Sequence, residues 1–151
     1  MRLRGAWPHE ADDLAAVHGR AFAPGWSAQE IADLTAGPGG FALVVEDQRM
    51  LGFILCRSGG GEAEILTLAV DPDARRRGIG RALVEAATGA ARMAGAELMF
   101  LEVAQDNPAA IRLYEATGFR NVGVRPGYYD RGAQGRVDAV VMRLDLPPQS
   151  P

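Results

Sequence analysis

At 151 residues, with 48% hydrophobic and 23% charged side chains, the chain is long enough to bury one real core and short for more than one ordinary domain. A formal net charge of -3 gives no drive toward nucleic acid or acidic lipid, and it argues against a basic ribosome-bound structural protein. One cysteine excludes an internal disulfide framework, Cys/His metal spacing is absent, and neither a signal peptide nor an apolar run of about 20 residues is present. A single cytoplasmic domain with no metal, membrane or nucleic-acid partner is expected.

In chain order, residues 2–6 read as a short opening strand that Trp7-Pro8 breaks. A helix follows with Leu14, Val17, Ala21 and Phe22 on one face, until Pro24-Gly25 interrupts it. Ser27-Ala28-Gln29-Glu30 reads as a capping box, with Ser27 at the N-cap of a second short helix through Ile31 and Leu34. Gly37-Pro38-Gly39-Gly40 ends that helix. Residues 41–46 and 50–57 are apolar and rich in strand formers, and the polar Asp47-Gln48 between them predicts a hairpin. After Gly59-Gly60-Gly61, a third strand covers 64–70 and stops at Asp71-Pro72.

Residues 78–94 form an alanine-rich helix with Ile79, Leu83, Ala86, Ala87, Ala90 and Met93 at helical spacing. Residues 98–103 make a strand that is apolar apart from Glu102. Asn107-Pro108 opens a helix through Tyr114, closed by Gly118. Two last strands, 119–124 and 137–146, flank a loop holding Tyr128 and Tyr129, and the tail 147–151 is expected to be disordered. The order β-α-α-β-β-β-α-β-α-β-β is that of one α/β domain over residues 1–146.

The stretch from Val70 to Leu83 carries the most chemistry. A strand ends, a short loop follows, and Gly78 and Gly80 sit in the first turn of the longest helix. The first four N–H groups of a helix have no internal partner, and that end of the helix is partly positive. Glycines there let a pyrophosphate approach, and Arg75, Arg76, Arg77 and Arg81 add full charges, so a diphosphate fits. Alone, the arginines favour a solvated helix start or a nucleic-acid patch; the strand-loop-helix context and the glycine pair reverse that in favour of phosphate. No Gly-Lys-Ser/Thr follows as in a P-loop, and the third glycine of a dinucleotide fingerprint is missing.

Arg75-x-x-Gly78-x-Gly80 resembles the Arg/Gln-x-x-Gly-x-Gly/Ala signature of the GCN5-related N-acetyltransferase (GNAT) superfamily, and the likeness extends from residue 64 to Phe119. Within it, Leu-Thr-Leu-Ala-Val-Asp-Pro-Asp (66–73), Leu-Glu-Val (101–103), Asn107 and Leu-Tyr-Glu-Ala-Thr-Gly-Phe (113–119) resemble the RimI-type protein N-terminal acetyltransferases. Ala-Phe-Ala-Pro-Gly-Trp-Ser (21–27) is similar to that group's Ala-Phe-Pro-Trp-Ser, with Ala23 and Gly25 added around the proline; Tyr128-Tyr129 and Asp138 also agree.

The resemblance implies a mixed sheet of about six to seven strands flanked by about four helices, with a V-shaped split between strands 64–70 and 98–103. It implies acetyl-CoA as cosubstrate and no metal. The pantetheine would pair with the backbone of Leu68, Ala69 and Val70, the pyrophosphate would sit on amides around Arg76, Arg77, Gly78, Ile79, Gly80 and Arg81, and Asn107 would touch the cofactor beyond the second strand. The implied acceptor is a protein N-terminal amine, the N-terminal alanine of a small-subunit ribosomal protein, and a monomer or weak dimer is expected.

Two residues are candidates for the proton traffic. A lone carboxylate in an apolar strand is costly to bury without a partner, and a desolvated Glu102 accepts a proton near neutrality. Equally, Glu102 reads as a strand-end residue paired with an arginine; the resemblance implies the general base. Tyr114 shares an apolar face with Ile111 and reads as a core aromatic, whereas the resemblance implies the proton donor to the leaving thiolate. Trp26, Tyr128 and Tyr129 line the acceptor groove by the same resemblance, or pack as aromatics do. Asp130, Glu30 and Asp138 are candidates to attract a basic peptide. Cys56, in an apolar run, reads as a small buried hydrophobe, so direct transfer is favoured over an acetyl-cysteine route. His9 and His18 read as structural or solvated. The competing functions are acetylation of a small amine or lysine, a CoA-binding regulatory module without catalysis, and nucleic-acid binding through Arg75 to Arg77.

Overall fold

The computed structural model describes residues 1–148; residues 149–151 of the expected tail lie outside the described residues. Seven strands form one sheet in the order β1-β2-β3-β4-β5-β7-β6. These are β1 (Arg2–Gly5), β2 (Gly40–Asp47), β3 (Arg49–Gly59), β4 (Glu62–Val70), β5 (Leu98–Ala104), β6 (Arg120–Asp130) and β7 (Arg136–Asp145). Helices α1 (Ala11–Ala21) and α2 (Ala28–Ala36) pack on one face, α3 (Ile79–Met93) and α4 (Pro108–Ala116) on the other. The mixed sheet with four helices is the expected architecture.

The central strand β3 is buried without interruption from Leu51 to Cys56, because both of its faces are covered. Phe53 and Leu55 meet α1 and α2, while Ile54 and Cys56 meet α3. Helix α3 buries Ile79, Leu83, Val84, Ala87 and Ala91 along one stripe, and each fully buried Leu or Ile contributes roughly 1.5–3 kcal/mol. Ser27 caps α2 as expected: its hydroxyl accepts from the Glu30 amide at 3.1 Å and Glu30 accepts back from the Ser27 amide at 3.1 Å.

Two expectations need correction. Phe22 is not on the helix: α1 ends at Ala21, and Phe22 is extended at φ -131°. Tyr128 and Tyr129 are not in a loop. Strand β6 continues to Asp130, because an irregularity between Arg125 and Tyr129, around Pro126-Gly127, absorbs two extra residues and lets pairing with β7 resume at Tyr129–Val137.

One feature of the sheet positions the site. Strands β4 and β5 run parallel, but their pairing ends at Ile65–Leu101. On its other side, β4 carries a bulge at the same point: Cys56 faces Ile65 and Leu55 faces Thr67, so Leu66 has no partner. A bulge bends and twists its strand. From Leu66 onward β4 therefore leaves β5, and a V opens whose limbs are Leu66–Val70 and Glu102–Ala104.

Candidate active site

Along the β4 limb, the main-chain groups that face β5 have no strand to pair with beyond Ile65. They are a sheet edge inside the molecule, suited to an extended ligand with amide groups. The bulge reverses the side-chain alternation, so Leu68 and Val70 turn toward α3 and α4, while Thr67 and Ala69 turn toward α1.

At the end of that limb, Asp71 stops the strand and holds the next turn. Its carboxylate accepts from the Asp73 amide at 2.9 Å, from Arg20 and from Arg49, although only 1% of the residue is exposed. The amide bond, with the two guanidinium groups, depresses its pKa to about 2 against the cost of burial. The chain then turns through two left-handed residues, Arg76 at φ 65° and Gly78 at φ 75°, into α3. Gly78 is the N-cap and has no side chain to offer, and the first intrahelical bond runs from the Ala82 amide to the Gly78 carbonyl. The amides of Gly78, Ile79, Gly80 and Arg81 thus have no intrahelical acceptor. Helices α2 and α4, by contrast, are capped by Ser27 and Asn107.

Among the described residues Arg75 and Arg76 make no ion pair, while Arg77 lies 3.7 Å from Asp47 and Arg81 lies 2.7 Å from Glu85. The arrangement fits a diphosphate. Gly80 has a second duty: a Cβ there would stand 3.0 Å from Leu113 and 3.9 Å from Leu68 and Val70, so its smallness also sets the α3–α4 approach beside the split. Asn107 spends its Oδ1 on the Ala110 amide as cap of α4, which leaves its NH2 group for a ligand.

Glu102 stands at the apex of the V, one residue past the last β4–β5 pair. Met99, Leu101 and Val103 face α3 and α4, so Glu102 faces the α1–α2 side. It is paired with an arginine, one of the two readings its place in the apolar run leaves open: Arg125 of β6 places Nε 3.1 Å from its Oε1. Its side chain is 16% exposed. Tyr129 donates from its hydroxyl to the Glu102 carbonyl at 3.4 Å and meets Tyr128 edge-on at 5.1 Å. Arg125 lies over the Tyr128 ring and Arg131 over the Tyr129 ring, each 5.3 Å away.

Tyr114 lies in the core cluster on the opposite face, with 6% of its surface exposed. Burial, with Cys56 and Tyr129 nearby, pushes its phenol above the usual range, so it keeps its proton at neutral pH. A phenol so raised is suited to donate a hydrogen bond rather than to act as a strong acid, since full transfer to a thiolate of conjugate pKa near ~8.5 is uphill. Cys56 is fully buried, and burial raises its thiol to about 12, which disfavours the thiolate a nucleophile needs.

Trp26 sits on the α1–α2 connection, stacked on His18 at 4.9 Å, with no ring contact to Tyr128 or Tyr129 among the described residues. Glu30, Asp138 and Asp130 accept main-chain bonds from Ser27, Gly127 and Gly132 and so are partly committed to their own turns. Sequence reasoning missed Arg125, Asp71 and the pair His18–Thr67. A signal existed for the last: Thr67 is the one hydroxyl in the apolar run 65–70, and His18 follows Leu14 and Val17 on the buried face of α1. Arg125 carried no such signal. Among the described residues, no three His, Cys, Asp or Glu side chains converge as metal ligands, and no helix is long and apolar enough to cross a membrane.

A parallel pair splayed by a bulge, with an uncapped glycine-led helix at its mouth, defines an acyltransferase architecture. Residues 7–119 match the family model described as acetyltransferase (GNAT) family, and the chain belongs to that family and is an acetyltransferase. It is similar to the [ribosomal protein bS18]-alanine N-acetyltransferase of Escherichia coli K12, 34% identical over 140 residues, 91% of this chain and 94% of that one. The Salmonella typhimurium protein of the same name is 41% identical over 100 residues, 66% of this chain and 67% of that one. The crystal structure of the ribosomal-protein-S18-alanine N-acetyltransferase from Escherichia coli superposes with a TM-score of 0.89 at 30% identity, covering 99% of this chain and 96% of that one.

Proposed function

We propose that this acetyltransferase uses acetyl-CoA to acetylate the N-terminal α-amine of a protein, the N-terminal alanine of a small-subunit ribosomal protein, by direct transfer in a ternary complex. The observation that carries this reading is the split itself. Backbone donors line one face of it and a carboxylate stands at the apex on the other, so donor and acceptor enter from opposite sides of the sheet.

Bound acetyl-CoA supplies the acetyl group as a thioester. The amides of Gly78 to Arg81, with Arg75 to Arg77, hold the diphosphate; the free edge of Leu68, Ala69 and Val70 holds the pantetheine, and Asn107 offers its NH2 group. Glu102 takes the proton of the attacking amine at Oε2, since Arg125 occupies Oε1 and fixes the carboxylate. Tyr114 offers its O–H to the departing sulfur. Trp26, Tyr128 and Tyr129 flank the acceptor on the α1–α2 side. The buried Cys56 thiol favours direct transfer over an acetyl-cysteine route.

An α-amine titrates near ~7.7–8.0 and a lysine near ~10.4, so freeing lysine of its proton costs roughly 3 kcal/mol more. One carboxylate suits the easier amine. The similarity in sequence and fold to the Escherichia coli enzyme supports alanine of a ribosomal protein as the acceptor, and with it a cytoplasmic location. The test is a panel of peptides with acetyl-CoA. Peptides with free N-terminal alanine are expected to be acetylated, and N-terminally blocked, lysine-containing ones are not; the opposite preference overturns the reading.

A further inference from the structure

Among the buried titratable side chains that the mechanism leaves unused, His18 lies beside the split. His18 of α1 is 2% exposed, yet both of its ring nitrogens are engaged. The Trp26 amide donates to Nδ1 at 3.0 Å, and Nε2 lies 2.9 Å from Thr67 Oγ1. Since Nδ1 accepts, a neutral ring carries its hydrogen on Nε2 and donates it to Thr67. The ring stacks on Phe22 at 4.6 Å and on Trp26 at 4.9 Å, and Phe53 lies tilted to it at 6.1 Å. One imidazole therefore ties two things together. The first is the irregular connection between α1 and α2, residues 22–27. The second is β4 at Thr67, next to the bulge that opens the split and on the face where Glu102 stands.

We propose that His18 is a positioning residue for the acceptor amine: its neutral ring clasps the Trp26 segment onto β4 beside the apex of the split and so fixes the acceptor wall of the site. This rests on the reading that the acceptor enters on the α1–α2 face. The clasp works in one protonation state. An imidazolium would carry a hydrogen on Nδ1 pointing at the Trp26 N–H, donor against donor, and that bond would be lost. Burial favours the neutral form, and the charge acting on the ring is Glu30 of α2, which favours the imidazolium. Strands β3 and β4 present Phe53 and Thr67, neither of them charged. The clasp is therefore closed at neutral pH and opens on acidification.

The experiment compares the wild type with His18→Phe, which keeps the aromatic stack and removes both nitrogens, and with Thr67→Val and Thr67→Ser. For a peptide with free N-terminal alanine, the acceptor KM is expected to rise roughly fivefold or more in His18→Phe and by less in Thr67→Val. Thr67→Ser restores it, and acetyl-CoA affinity by calorimetry is unchanged throughout. As pH falls below neutrality, the wild-type acceptor KM climbs more steeply than that of His18→Phe, which retains only the amine's own titration. Independently of any variant's folding, 15N NMR of the wild type should show the Nε2–H tautomer and a Trp26 amide that titrates with the ring. Equal KM values in wild type and His18→Phe, or an Nδ1–H tautomer, overturn the proposal. Should the wild type acetylate a lysine or a small amine instead, the same comparison is run with that amine, so the acceptor assignment fails without taking the clasp with it.

Discussion

On the α3 side, the split presents main chain: four amides without acceptors at Gly78 to Arg81 and an unpaired strand edge from Leu66 to Val70. On the α1–α2 side it presents side chains, namely Glu102 and Arg125, paired with each other, Tyr129, bonded to the Glu102 carbonyl, and Trp26, stacked on His18. The first region recognises a ligand through groups that every residue possesses, so what matters there is conformation and the absence of bulk. The second depends on the identity of each side chain. On the function proposed above, the cofactor half of the site is a property of the fold, and the acceptor half is a property of this chain.

The contrast can be broken by substitution. The largest effect is expected for Glu102→Gln, which keeps the shape and removes the proton acceptor. Turnover should fall by about 10²–10⁴-fold while acetyl-CoA affinity holds. Steady-state kinetics with calorimetry checks this, and turnover within a factor of two of the wild type removes Glu102 from the mechanism.

A smaller loss, of the other kind, is expected for Gly80→Glu. The new side chain starts 3.0 Å from Leu113 and brings a carboxylate toward the helix start. Acetyl-CoA binding should weaken by roughly 10–100-fold, the worth of one or two charge-assisted hydrogen bonds. Gly80→Ala supplies the control: its Cβ presses on the flexible end of Leu113 at 3.0 Å, makes ordinary contact with Leu68 and Val70 at 3.9 Å, and brings no charge. If calorimetry finds Gly80→Glu as tight as the wild type, the amides of α3 do not hold the diphosphate.

The same contrast explains what could be read in the sequence. The strand, the loop and the glycine-led helix lie within residues 62–93, so spacing alone displayed that turn, and strong apolar periodicity displayed the sheet and helices around it. Glu102 was visible as the one charge in an apolar strand. Its partner Arg125 was not, because the β6–β7 hairpin brings it there from 23 positions away and β6 continues past a proline that reads as a stop. His18 and Thr67 are 49 positions apart, and neither predicts the other. The bulge at Leu66 has no local signature at all: it is a disagreement of register between β3 and β4, a property of the pair.

The smallest effect separates the two regions by pH. At the cofactor end Asp71, held by the Asp73 amide with Arg20 and Arg49, has its pKa lowered to about 2. Away from the split, just before α1, Glu10, bonded to Arg4 of β1 at 2.7 Å, is likewise lowered to about 2, chiefly by that guanidinium. A carboxylate depressed in the folded state stabilises it fully above the unfolded value near ~4, and the contribution is lost as pH falls through the folded value. Both anchors therefore hold until pH drops below about 4. His18 is lowered from the ordinary imidazole value by burial, so its contribution begins to fade near pH ~6.5, where the unfolded chain takes up the proton first. Acid should thus weaken the acceptor end before the cofactor end. Asp71→Asn is expected to cost on the order of 1–2 kcal/mol at neutral pH, its arginine partners being half-exposed and screened. It should also flatten the fall of Tm between pH 4 and 2 while leaving the slope between pH 6.5 and 5 intact. A variant whose whole Tm–pH curve simply shifts down, parallel to the wild type, would show that Asp71 stabilises the turn through its shape and not through its charge.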